Sequence, residues 1–102
     1  MPKIAQHVQD AQGGPLRPQL LIRTDPNTAR ANRARAIAGL GSAGFAMSWD
    51  EYPFASTVQG GIGASVRKVP LHENLVQGGV IGASYTIQGI TPGEQFWVVV
   101  IP

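Results

Sequence analysis

ASVRKVPLHENLVQGG, residues 64–79, reads as a strand that runs directly into a helix, and the rest of the chain is organised around it. Alternation from Ala64 puts Val66 on one side and Arg67 on the other, with Val69 out of step where the strand ends. Pro70 closes the strand and suits a helix start, predicting a helix from Leu71 to Ala83. Within that helix Glu73 and Gln77 are four apart and Asn74 and Gln77 three apart, so these polar groups crowd one face near its N-terminus. A helix N-terminus also attracts phosphate through its free N–H groups. Gly78-Gly79 is costly there, about 1 kcal/mol for each glycine relative to alanine. Close approach of another backbone, the segment carrying Asp50 and Glu51, is the expected compensation. His72 in the first turn reads as structural or solvated, and Glu73 alone would read as a partner of the helix dipole.

Upstream lies SWDEYPFAST, residues 48–57. Asp50 and Glu51 are neighbours, and strand neighbours point to opposite faces, so both reach one site only if the backbone turns; Pro53 makes such a turn plausible. One carboxylate could ligate a hard cation while the other acts as a base, its pKa raised by the like charge beside it. A solvated acidic turn is the plainer reading, but Trp49, Tyr52 and Phe54 argue against full exposure.

QLLIR at Gln19 to Arg23 suits a buried strand. Thr24-Asp25-Pro26 gives an N-cap oxygen followed by proline at the first helical position, and the helix should reach Ala38 and stop at Gly39. On a helical wheel Arg30, Arg33, Ala34 and Ile37 share one side, with Arg35 well away, so Arg30 and Arg33 can look inward. GLGSAG at residues 39–44 is a flexible connector, and Gly60-Gly61-Ile62-Gly63 is turn material. After the turn Thr91-Pro92-Gly93, FWVVVI reads as a central or well-covered strand. The order predicts an α+β fold, one small sheet with helices packed on it.

A chain of 102 residues forms a single domain with one site. Cysteine is absent, which excludes a disulfide framework, thiolate metal ligands and a cysteine nucleophile. The opening MPKIAQHVQDAQGGPLRPQ has no signal-peptide pattern, and no window approaches the ~18 apolar residues of a membrane span. Its Gly13, Gly14, Pro15 and Pro18 make residues 1–18 read as an arm or linker cut from a larger polypeptide, with the folded domain at 19–102. Residues 1–49 carry six basic groups against Asp10 and Asp25, whereas in residues 50–102 Arg67 and Lys68 stand against four carboxylates. That asymmetry suits a phosphodiester enzyme, with cations for the polyanion and carboxylates for a metal.

DEYPFAST, the GG and GASV after it, then VP, EN and QGG, resemble the framework of NucA/NucB-type deoxyribonucleases. That family includes bacterial DNA-uptake and secreted nucleases and the C-terminal domains of polymorphic and Rhs-type toxins. The likeness runs from Trp49 to about Val100 and extends loosely to ANRARAIAG at residues 31–39. It implies a ββα-metal core, similar to the His-Me finger nucleases, holding one Mg²⁺ or Mn²⁺. It also implies that an acid serves as base where related nucleases use histidine. Carried onto this chain, Glu51 is the base and Asp50 a metal ligand or water-positioning group, though the two roles could be exchanged. Asn74, with Glu73 and Gln77 nearby, lies at the metal or its water shell. Arg33 steadies the phosphate, with Arg30 as a lesser helper. Ser48-Trp49 stand where some members carry a charged residue or cysteine.

The resemblance implies a divalent-metal-dependent DNA endonuclease with little sequence preference, since so small a domain has little surface for reading bases. It further implies a toxin domain delivered in a larger secreted effector, with a cognate immunity protein and no membrane insertion of its own. A non-catalytic nucleic-acid-binding or protein-interaction module, and a ribonuclease, are the alternatives.

Overall fold

The computed structural model describes residues 2–13, 19–98 and 100. Three helices, α1 (Pro2–Gln12), α2 (Pro26–Ala36) and α3 (Leu71–Ile87), accompany four strands, β1 (Gln19–Ile22), β2 (Met47–Tyr52), β3 (Ser65–Pro70) and β4 (Gln95–Val98), among the described residues. The class is α+β, but the single sheet expected from the sequence is two antiparallel pairs, β2 with β3 and β1 with β4. The division follows from Pro53, which has no N–H to extend a ladder and follows β2 at once. The chain then runs beside the end of β1: Thr24 N donates to Ser56 O and Val58 N to Ile22 O, both at 2.8 Å. A single bridge, Arg23 to Thr57, is where the two pairs meet.

The strand expected at FWVVVI is β4 only as far as Val98; Val99 and Ile101 lie outside the described residues. It is neither central nor covered on both faces. Phe96 and Val98 pack on the core, whereas Trp97, pointing the other way, is 67% exposed. A continuous apolar run signals burial, but one covered face uses only every second residue of it.

The expected N-terminal arm is a helix over Pro2–Gln12, and its Ile4 and Val8 are buried in one cluster with Leu21, Tyr52 and Val69. Burying aliphatic side chains of this size stabilises by about 1.5–3 kcal/mol each, enough to dock a short helix that would be marginal alone. Gly14, Pro15 and Pro18, which suggested a linker, lie outside the described residues.

α2 starts as its sequence predicts, with Asp25 Oδ1 accepting from Thr28 N at 2.8 Å and proline at the first position. α3 continues one turn beyond the predicted end, through Gly78, Gly79 and Gly82. At each of these glycines a Cβ would meet nothing within 4 Å, so the close approach expected at Gly78-Gly79 is absent. Gly60-Gly61 is a constrained pair. A Cβ at Gly60 would collide with the Phe54 carbonyl oxygen, and Gly61, at φ +95°, would set one 2.9 Å from Asn32 Oδ1. Gly78→Ala and Gly79→Ala should therefore each stabilise the domain by about 0.4–1 kcal/mol, and Gly60→Ala should destabilise it by more than that. Thermal melts of the three variants check both signs.

Candidate active site

β2 is a regular strand through both carboxylates, so Asp50 and Glu51 point to opposite faces rather than into one turn. Asp50 shares its face with Tyr52 and looks toward α1, where its Oδ2 lies 2.6 Å from His7 Nδ1. Glu51 looks toward α2 and pairs with Arg33 Nη1, which also donates to Trp49 O at 2.6 Å. The wheel placed Arg30 inward as well, but Arg30 is exposed and bonds Asn27 on its own helix. The inward side chain of α2 that sequence reasoning missed is Asn32. Its Nδ2 donates to Ala55 O at 3.1 Å and Thr57 O at 3.0 Å, fixing the helix to the chain that leaves β2.

α3 follows β3 directly and lays its first turns against β2. Asn74 Nδ2 donates to Ser48 Oγ at 2.8 Å and to Trp49 O at 3.0 Å, leaving the amide oxygen as the group available for other partners. Gln77, one turn on, is buried beside it. Arg33, Asp50, Glu51, Asn74 and Gln77 line one small cleft of about 100 Å³, closed by Phe54, Ala55, Ser56 and Ile81. A larger groove of about 740 Å³ between α3 and β4, lined mainly by apolar and aromatic side chains such as Tyr85, Phe96 and Trp97, shares Phe54 and Ile81 with it. The smaller cleft is the chemical one, because the buried Glu51 carboxylate and the inward Arg33 meet on its wall.

Burial pushes the Glu51 carboxyl up from its ordinary value; the Arg33 charge and hydrogen bond oppose this, and the neighbouring Asp50 charge adds to it. Arg33, 37% exposed where Glu51 is 6%, keeps part of its guanidinium open to an incoming anion while it pairs with the buried carboxylate.

Glu73 does not join the cleft. It is buried against α1, where its Oε1 accepts from Lys3 N at 3.0 Å and Ile4 N at 3.2 Å, capping that helix from outside. Glu73→Ala should cost about 1–2 kcal/mol of stability through the lost cap. Faster amide exchange at Lys3 and Ile4 would locate the loss.

Glu51, Asn74 and Gln77 bring side-chain oxygens to the residues that line the cleft, and Asp50 lines it from a strand position whose carboxylate turns to α1. Among the described residues no group of three or more His, Cys, Asp or Glu assembles. This set fits a hard cation of the magnesium type, which takes one or two carboxylates and fills its other positions with water and substrate phosphate.

Comparison with known proteins gives no significant match among curated proteins. The profile of one family, Deoxyribonuclease NucA/NucB, matches residues 17–99, which hold the Arg33 helix, the Asp50-Glu51 strand and the Asn74 helix but exclude α1. The chain belongs to the NucA/NucB deoxyribonuclease family.

Proposed function

We propose that this domain is a divalent-metal-dependent DNA endonuclease of low sequence preference. The observation that carries the reading is the Arg33–Glu51 pair on the wall of a cleft bordered by Asp50, Asn74 and Gln77, inside the family-matched region. A base and a phosphate-binding cation are thus already in contact, with oxygen donors beside them. The succession of β2, β3 and α3 supports a ββα-metal arrangement.

In this reading Glu51 takes the proton of the attacking water, and its raised pKa suits a base working near neutrality. Arg33 holds a non-bridging phosphate oxygen, and as the phosphate engages the guanidinium, Glu51 loses the partner that keeps its pKa down. Substrate binding thereby strengthens the base. Asn74, anchored by Ser48 and the Trp49 carbonyl, keeps its amide oxygen fixed, and Asp50 and Gln77 complete the donor set. Mg²⁺ or Mn²⁺, when bound by Asp50, Asn74 and Gln77, would stabilise charge on the phosphate and the departing 3' oxygen. The setting we propose is a toxin domain delivered in a larger secreted bacterial effector and countered by an immunity protein; this rests on the family resemblance alone.

Supercoiled plasmid incubated with the purified domain should be nicked with Mg²⁺ or Mn²⁺ and left intact with EDTA, and a 2'-hydroxyl-bearing substrate should be cut more slowly. DNA binding without any nicking would replace the nuclease by a binding module, and faster RNA cleavage would make it a ribonuclease.

A further inference from the structure

We infer that the larger groove between α3 and β4 is a base-binding subsite beside the nuclease cleft, taking an unstacked base next to the scissile phosphate and making single-stranded DNA the preferred substrate. The inference rests on the nuclease reading for its purpose, and on the junction of the two cavities for its place. Phe54 and Ile81 line both of them. The buried and half-buried positions of α3 also run through both. Asn74 and Gln77 border the cleft, Ile81 stands at the junction, and Ser84 and Tyr85 border the groove. From Gln77 to Ser84 is two helical turns, about 10 Å along the axis. The wall between the cavities is pinned where Ser56 Oγ, on the cleft side, meets the Tyr85 hydroxyl at 2.7 Å.

The chemistry of the groove suits a base and not a phosphate. Its volume of about 740 Å³ is in the range of sites that enclose small organic ligands. Phe54, Tyr85 and Phe96 line it with Ile81 and Ile90, and no lysine or arginine is among the described residues that do. Glu94 is the charged residue of the lining; hydrogen bonds from Thr91 hold its carboxyl below the ordinary value, so it is ionised at neutral pH and repels a phosphate. The Tyr85 ring is fixed before any ligand arrives, with the Arg23 guanidinium 4.6 Å from its centroid and Phe96 edge-on at 5.3 Å. Phe54 and Phe96 are only half-buried, which leaves ring surface for a base to stack on. Ser84 and Gln88, one turn apart, add a hydroxyl and an amide for the base edge. A duplex keeps its bases in the stack and gives one up only at a cost, whereas a single strand presents them.

A short labelled single strand, titrated with the protein in EDTA so that nothing is cut, measures the contribution of the bases. The reference is an oligomer of equal length and charge built wholly of abasic sites. The parent should bind the base-bearing strand about 5–150-fold more tightly, the worth of stacking one base. Ser84→Phe fills the groove from a half-buried position on α3, and Phe96→Leu keeps apolar volume against the core while removing a ring. Ser84→Phe should erase that advantage and Phe96→Leu should shrink it, with affinity for the abasic oligomer unchanged. With Mn²⁺, the parent should cut the single strand faster than a duplex of the same sequence, and Ser84→Phe should slow the single strand alone.

Equal affinity of the parent for the two oligomers overturns the inference, as does an advantage that survives in Ser84→Phe. Duplex cut as fast as single strand overturns the substrate preference. If a variant does not fold, the parent's own comparison of base-bearing and abasic strands still decides. A parent dimer that Ser84→Phe dissolves, with both oligomers bound alike, assigns the groove to a second copy of the chain. A parent that favours the base-bearing strand through the groove but cuts no DNA removes the nuclease and leaves the base site. A parent that cuts both DNAs alike and binds both oligomers alike removes the base site and leaves the nuclease.

Discussion

Glu51→Gln should reduce plasmid nicking by about 10²–10⁴-fold, the usual worth of a positioned general base, while leaving the protein folded. Glutamine keeps the shape and can still accept from Arg33, so the lost quantity is the proton acceptor. The same substitution carries a stability signature of opposite sign. Because burial raises the Glu51 pKa in the folded state, that state binds a proton more tightly than the unfolded chain does. Glu51 therefore makes the parent less stable as pH rises from the ordinary glutamate range through the raised value, and the whole cost is present above it. Glu51→Gln should flatten that slope, and its melting temperature at neutral pH should match or exceed the parent's. A group that costs stability and is retained beside a cleft is what a catalytic role predicts. Melts at several pH values, compared with nicking rates, check the two effects together.

Arg33→Ala should lower cleavage by about 10²–10³-fold, comparable to removing one placed donor for transition-state charge. Arg35, exposed on the same helix, should cost only a small factor when changed to alanine. Arg33 also holds the Glu51 pKa down, so its removal raises that pKa further and protonates more of the base at neutral pH. Part of the Arg33→Ala loss should accordingly be recovered by raising the pH, and Arg33→Lys should retain more activity at every pH. Equal losses for Arg33→Ala and Arg35→Ala would show general attraction of the polyanion and no placed contact.

What the sequence disclosed and what it hid divide along local and distant interactions. The start of α2 is written in Asp25 and Pro26, a cap and a rigid first residue, and needs no tertiary partner to be read. Arg33 is legible from helical periodicity and Glu51 from the family motif, but nothing in the sequence joins the two into a pair. His7 and Asp50 are 43 positions apart, and nothing local couples them. The Ile4, His7, Val8 stripe was a helical signal, but the Gly and Pro residues that follow directed the reading toward a linker. Glu73 has the spacing to share a face with Gln77, yet it turns to α1, a helix the sequence reading did not contain. Two of the Gly-Gly pairs show the same limit. Only the structure distinguishes Gly60-Gly61, pressed against Phe54 and Asn32, from Gly78-Gly79, which touch nothing.

The central claim is that a base with an upward-shifted pKa, Glu51, drives DNA cleavage from the Arg33 cleft. Its most direct test is the pH profile of single-turnover cleavage of a labelled DNA duplex with saturating Mn²⁺, measured for the parent and for Glu51→Gln. The account predicts that the parent's rate rises with pH along a limb lying above the ordinary glutamate range, and that this limb is absent from the residual rate of Glu51→Gln. A limb of the same position and height in Glu51→Gln would contradict it.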